Sequence, residues 1–156
     1  MKLTIELVPS TAWYTNVRSA VSKEEWDVIR KKCYREAGYI CEVCGGRGDK
    51  WPVECHEIWD YDDINKKQTL KGFISLCPNC HKTKHVGLAQ INREEDIVIN
   101  QLMKVNNMTE EEARQYISDA FRKWLTRSDY EWECDISYLE IYTKNKNYHG
   151  RKVHRD

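Results

Sequence analysis

Two thiol pairs, Cys41-x-x-Cys44 and Cys77-x-x-Cys80, stand 32 residues apart in this chain. On a tight turn, a pair at this spacing aims both sulfurs at one ion. Two such turns complete the tetrahedral sulfur shell that zinc takes. Gly45 and Gly46 behind the first pair and Pro78 inside the second suit turns of this kind. The chain has seven cysteines, an odd number that favours metal over a disulfide framework in a reducing compartment. Of the others, Cys33 fits an apolar helix face, Cys134 falls in a late strand, and Cys55 reads as a packed strand residue. Four buried free thiols or a thioredoxin-like redox pair would be the alternatives, but neither explains two pairs.

Imidazoles gather around the same segment. His81 follows the last cysteine of the set directly, and His85 lies four residues on, one helical turn away on the same face. That is a two-imidazole grip on a second ion. The insert between the thiol pairs carries His56 and Glu57 side by side, and the three histidines together suggest a second, non-structural metal site.

These residues must be positioned by nearby elements. The stretch 2–8 places Leu3, Ile5 and Leu7 on one face at period two and reads as a strand ending at Pro9. Ser22 and Glu25 have capping-box spacing. The helix they open presents Trp26, Ile29, Cys33 and Ala37 on one face and can end at Gly38. Residues 51–59 and 70–76 read as short strands joined by the polar loop 60–68, and a helix starts at Pro78. A helix over 94–106 is followed by a second capping box, Thr109 with Glu112. The stripe Ala113, Tyr116, Ile117, Ala120, Phe121, Trp124 and Leu125 then predicts a core-facing helix. Residues 131–142 read as a closing strand that could pair with the N-terminal one. The expected fold is α+β. Residues 1–40 form a strand and helix packed on a small ββα-metal core at 41–90 braced by the four cysteines, with helices and a strand at 91–142 and a basic mobile tail at 143–156.

Composition bounds the partners. Lys plus Arg and Asp plus Glu are 25 each, so any attraction to nucleic acid must come from local patches. No apolar run approaches the roughly 20 residues of a membrane span, and the first ten residues lack the apolar segment of a signal peptide. A cytoplasmic protein is expected.

The pieces "CEVC", "VECHEI" and "LCPNCHKTKH" resemble the HNH endonuclease family, in which a two-stranded hairpin and a helix clasp one divalent ion, often beside a four-cysteine zinc. The resemblance spans about 41–86, about a third of the chain. The flanks look like those of phage and bacterial HNH proteins with a CHE-W signature. It implies a hydrolase that cuts phosphodiester bonds of nucleic acid, most often DNA, using a divalent ion (Mg²⁺, Mn²⁺, Ni²⁺ or Zn²⁺). Carried over by position, it makes His56, His81 and His85 the ligands and Glu57 the base for the attacking water; Val53, Glu54 and Ile58 match as well. The other register would make Cys55 the ligand and His56 the base. Two positions differ from the family: Glu57 stands where histidine is usual, and Gly72 where an asparagine is expected, with Gln68 or Asn65 as substitutes. Lys66, Lys67, Lys71, Lys82 and Lys84, with Arg151, Lys152 and Arg155 of the tail, are candidates to hold the nucleic-acid backbone.

Two other readings use the same residues. One is a non-catalytic zinc module that binds nucleic acid or protein. The other is a zinc deaminase, in which "CHE" ahead of "LCPNC" would put His56 on the same ion as Cys77 and Cys80.

Overall fold

The structure, a computed structural model, describes residues 1–12 and 17–142; the predicted basic tail lies outside the described residues. The chain is α+β, as its patterning predicts. Helix α1 (Lys23–Glu36) opens on the predicted capping box, Ser22 accepting from the Glu25 amide while the Glu25 carboxylate accepts from the Ser22 amide. It buries Trp26, Ile29 and Cys33, and Gly38 follows with φ +65°, a region glycine enters without Cβ strain.

Strands β1 (Glu54–Asp62) and β2 (Lys67–Leu76) form an antiparallel hairpin. It is longer than the sequence pattern suggests, because most of the polar loop predicted at 60–68 is strand. The turn needs only residues 63–66: the Asp62 carboxylate accepts from the Ile64 and Asn65 amides, and Lys66 takes a left-handed φ of 54°. Ile58 pairs with Gly72 and Trp59 with Leu70, so Lys71 is the extra residue of a bulge.

Helix α2 (Pro78–Lys84) starts where β2 ends, α3 (Val86–Ile91) follows across His85, and α4 (Glu95–Asn106) and α5 (Glu110–Arg127) complete a layer over one face of the hairpin. The second predicted capping box forms, Thr109 with Glu112. Along α5, Ala113 and Ile117 are buried and Tyr116, Ala120 and Phe121 pack against them. Leu125, counted in that stripe, is 60% exposed, since no element among the described residues covers the last turn on that side. The other face of the hairpin packs on α1 and the C-terminal segment through Leu70, Cys134, Ile136 and Leu139. Cys33, Cys55 and Cys134 all lie in this second cluster, as expected.

Two strand predictions are corrected. Residues 2–8 bury Leu3 and Ile5 but form no strand. Their amides are met by helix side chains: Asn106 accepts from Lys2 and Leu3 and donates back to the Leu3 carbonyl, and Tyr116 accepts from Ile5. The closing segment gives only a three-residue strand, β3 (Glu133–Asp135), before a 3₁₀ turn at Ser137–Ile141. It pairs in parallel with the start of β2, not with the N-terminal segment.

Candidate metal centres

Among the described residues, two groups of side chains could hold a metal ion: Cys41, Cys44, Cys77 and Cys80, and His56, His81 and His85. Within each group the ligand atoms all lie within 4.8 Å of one another.

The cysteine group is built from two turns. In the first, the Gly45 amide donates to the Cys41 carbonyl, the Cys44 amide to Cys41 Sγ and the Gly46 amide to Cys44 Sγ, with Gly45 at φ +76°. In the second, Cys77 caps α2, its sulfur accepting from the Cys80 amide, and Pro78 takes the first helical position, where a missing N–H costs nothing. Gly48 lets the intervening loop lie against that proline, since a Cβ there would stand 2.7 Å from it. From α4, Gln101 Nε2 donates to Cys80 Sγ at 3.1 Å.

Donors aimed at sulfur favour thiolate, and the shell suits a cation. Cys44 and Cys77 Sγ are 3.6 Å apart, close to the about 3.8 Å of a tetrahedral zinc shell. A hydrogen bond from the Cys80 thiol holds Cys41 down to about 4. That same bond, with burial, pushes Cys80 far up, and burial raises Cys77 to about 11. Four sulfurs this close cannot all ionise without a positive partner.

The histidine group joins β1 to α2. His81 and His85 project from consecutive turns, with Nε2 to Nε2 3.1 Å, and the His56 ring centroid is 5.2 Å from each of theirs. Burial, then the neighbouring imidazoles, pushes His56 down to about 2; protein crowded against the ring and His81 lower His85 to about 4, although His85 as a residue is exposed. Both rings are therefore neutral at neutral pH, with lone pairs free for a ligand bond. His56 Nδ1 is buried with no hydrogen-bond partner among the described residues, a cost that an ion in the group would remove. Glu54 Oε1 lies 3.0 Å from His81 Nδ1. A carboxylate only accepts, so Nδ1 carries the proton and Nε2 turns its lone pair to the other rings. The donor set thus fits a divalent ion. It matches the register in which His56, not Cys55, is the strand ligand. Ligand spacing alone gives Glu54 no part in this site, yet it stands two residues before His56 and so on the same strand face.

Glu57 is not brought to this group. Residues opposite each other in an antiparallel pair share a face. His56 pairs with Ile74, which packs in the α2–α5 cluster, whereas Glu57 pairs with Phe73, which packs in the α1 cluster. Glu57 is 8% exposed and accepts from the Val17 amide at 2.9 Å. Gly72 sits beside the bulge. Asn65 bonds Asp62 at the hairpin tip and Gln68 is buried against Tyr61, so neither substitute lies near the histidines.

Four of the five candidate lysines have partners. Lys66 lies over the Tyr130 ring, Lys67 pairs with Asp135 at 3.6 Å, and Lys82 pairs with Glu94. Lys84 is buried against Glu6 and Thr4, while Lys71 is exposed at the bulge. Arg151, Lys152 and Arg155 lie outside the described residues.

Two concavities flank the histidines. A groove of about 710 Å³ beside His56 and His85 is lined by Leu7, Trp59, Leu88, Ile91 and Trp124 among others. A cleft of about 360 Å³ opens at His81. Among the described residues no helix is long and apolar enough to cross a membrane. Comparison with protein-family models, curated proteins and solved structures returned no match.

Proposed function

We propose that this chain is a metal-dependent endonuclease of the HNH type, acting on phosphodiester bonds of nucleic acid, DNA first, with a structural zinc on its four cysteines. The observation that carries the reading is the convergence of His56 from β1 with His81 from α2, the helix that follows the hairpin, and with His85, the residue that caps its C-terminal end. A divalent ion bound there supplies Lewis-acid polarisation of a phosphoryl oxygen and offsets charge on the leaving oxygen. The three imidazoles bind and orient it, and Glu54 keeps His81 in the binding tautomer. The separate grouping of cysteines and histidines disfavours the deaminase arrangement, which needs both on one ion.

Supercoiled plasmid incubated with Mg²⁺, Mn²⁺, Ni²⁺ or EDTA, beside a His81→Ala protein, tests the reading. Ion-dependent nicking that His81→Ala loses is the expected result. No nicking with any ion by folded, zinc-loaded protein sinks it. Glu57→Gln assigns the base. Loss of nicking with ion binding retained makes Glu57 the proton acceptor, and full activity restricts it to anchoring Val17.

A second reading, a non-catalytic zinc module that binds nucleic acid or protein, draws on one observation: Glu57 faces away from the histidines and is tied to Val17. Nucleic-acid binding that survives His81→Ala, with no nicking by either protein, selects it.

A further inference from the structure

The cleft at His81 has features that the metal site does not require. Trp51 is 51% and Tyr39 46% exposed, and both line it with Arg18, Glu54 and His81. Exposed aromatic rings are usually loosely held, but Trp51 is not. Its Nε1–H donates to Glu54 Oε2 at 3.0 Å, and the other oxygen of that carboxylate meets His81. One carboxylate therefore fixes both the indole plane and the metal-facing imidazole. At the rim, the Arg18 guanidinium lies over the Trp26 ring, 5.1 Å from its centroid, and has no ion pair among the described residues.

A held aromatic face, a guanidinium with no carboxylate partner among the described residues and the Glu54 side of one ion ligand, His81, line one cleft, with the ion site itself across that imidazole. The set matches a nucleobase with its phosphate. A continuous duplex keeps its bases stacked inside and offers only backbone here, so the indole would have nothing to stack on. Duplex binding would also need many phosphate contacts, yet Lys67, Lys82 and Lys84 are already paired with carboxylates. Single strands are held by stacking, with fewer charges required. Building on the nuclease reading, we propose that the Trp51–Arg18 cleft binds an unstacked nucleotide next to the scissile phosphate, and that the substrate is single-stranded or unpaired nucleic acid.

The test compares metal-dependent cleavage of a labelled single-stranded DNA oligonucleotide, its RNA equivalent and the perfect DNA duplex, using wild type, Trp51→Ala and Trp51→Phe. Faster cleavage of a single strand is expected, with Trp51→Ala lowering kcat/KM on it by about 5- to 150-fold and Trp51→Phe keeping most of the activity. Phenylalanine stacks but cannot hold Glu54. Equal losses in both variants, with weaker ion binding by calorimetry, would mean that Trp51 only supports His81 and would overturn the proposal. Duplex cleaved as fast as single strand, with Trp51→Ala harmless, would overturn it while leaving the nuclease reading standing. If nothing is cleaved, the nuclease reading falls, and anisotropy of the same oligonucleotide decides the cleft. Binding that Trp51→Ala weakens and Trp51→Phe retains supports it; binding indifferent to Trp51, or no binding, overturns it.

Discussion

His81 keeps its proton on Nδ1 because Glu54 accepts there, and this leaves Nε2 to face His85 and His56. Orienting carboxylates of this kind contribute about 10- to 100-fold to metal affinity. Glu54→Ala should therefore weaken divalent-ion binding at the histidines by about that factor, while the zinc content of the cysteine site stays at one per chain. Calorimetric titration of zinc-loaded protein with Mn²⁺ or Ni²⁺ reads the first, and metal analysis of the purified protein the second. Unchanged ion affinity would mean that the two other imidazoles suffice to hold His81 in place. His56 contributes differently: it is the one ligand drawn from the strand, so it alone ties the ion to the hairpin.

At the scale of elements, the four cysteines join the loop after α1 to the start of α2, and Gln101 adds α4 through Cys80. The Glu42 backbone and carboxylate also pair with Ser75 at the end of β2, so the knuckle holds the hairpin end from which His56 projects. Structural zinc is worth about 10–16 kcal/mol in small zinc domains, comparable to the whole stability of a typical domain, about 5–15 kcal/mol. Cys77→Ser should lose zinc and also abolish ion binding at the histidines, because α2 is no longer fixed against β1. Thermal unfolding followed by circular dichroism, with metal analysis, checks this; an unchanged midpoint in zinc-free protein would show that the apolar layers suffice. The tight turn at 63–66 closes the hairpin far from the ligands along the strands, whereas the bulge at Lys71 begins only two residues past His56.

For the molecule as a whole, the layer around α1 and the C-terminal segment keeps several weak acids protonated. Burial pushes Cys134 up to about 12 and Tyr142 up to about 12, and raises Tyr61 further. In the unfolded chain these groups ionise near about 8.5 for cysteine and about 10 for tyrosine. Above those values the unfolded state holds fewer protons than the folded state, so stability falls as pH rises. The contribution is complete below about pH 8.5 for Cys134 and below about pH 10 for the tyrosines. For Cys134 and Tyr142 it is lost between there and about 12, and for Tyr61 the loss continues beyond, at up to about 1.4 kcal/mol per pH unit for each group. Urea midpoints measured from pH 7.5 to 10.5 should decline. Cys134→Ala should lower every midpoint through its cavity yet flatten the part of the decline that begins near pH 8.5. A decline of the same shape in that variant would show that Cys134 does not hold its proton in the fold.

What the sequence determined by itself is what local spacing can encode. Two thiols three apart make a knuckle, two histidines four apart share a helical face, and a serine or threonine three residues before a glutamate caps a helix; all of these formed. The strand period also implied that Glu57 faces away from His56 and that Glu54 faces with it, a signal present in the chain and readable without the fold. Tertiary structure alone decided which partners those faces meet. Alternation at Leu3 and Ile5 specifies a buried side of the chain, but whether a strand or the side chains of α4 and α5 satisfy its amides depends on packing over a hundred residues away. The same reason governs the union of His56 with His81 and His85, the lysines drawn into ion pairs, and the cleft that Trp51 shares with Arg18. Each joins residues whose separation along the chain carries no local constraint, and only the packing of one layer on another brings them within reach.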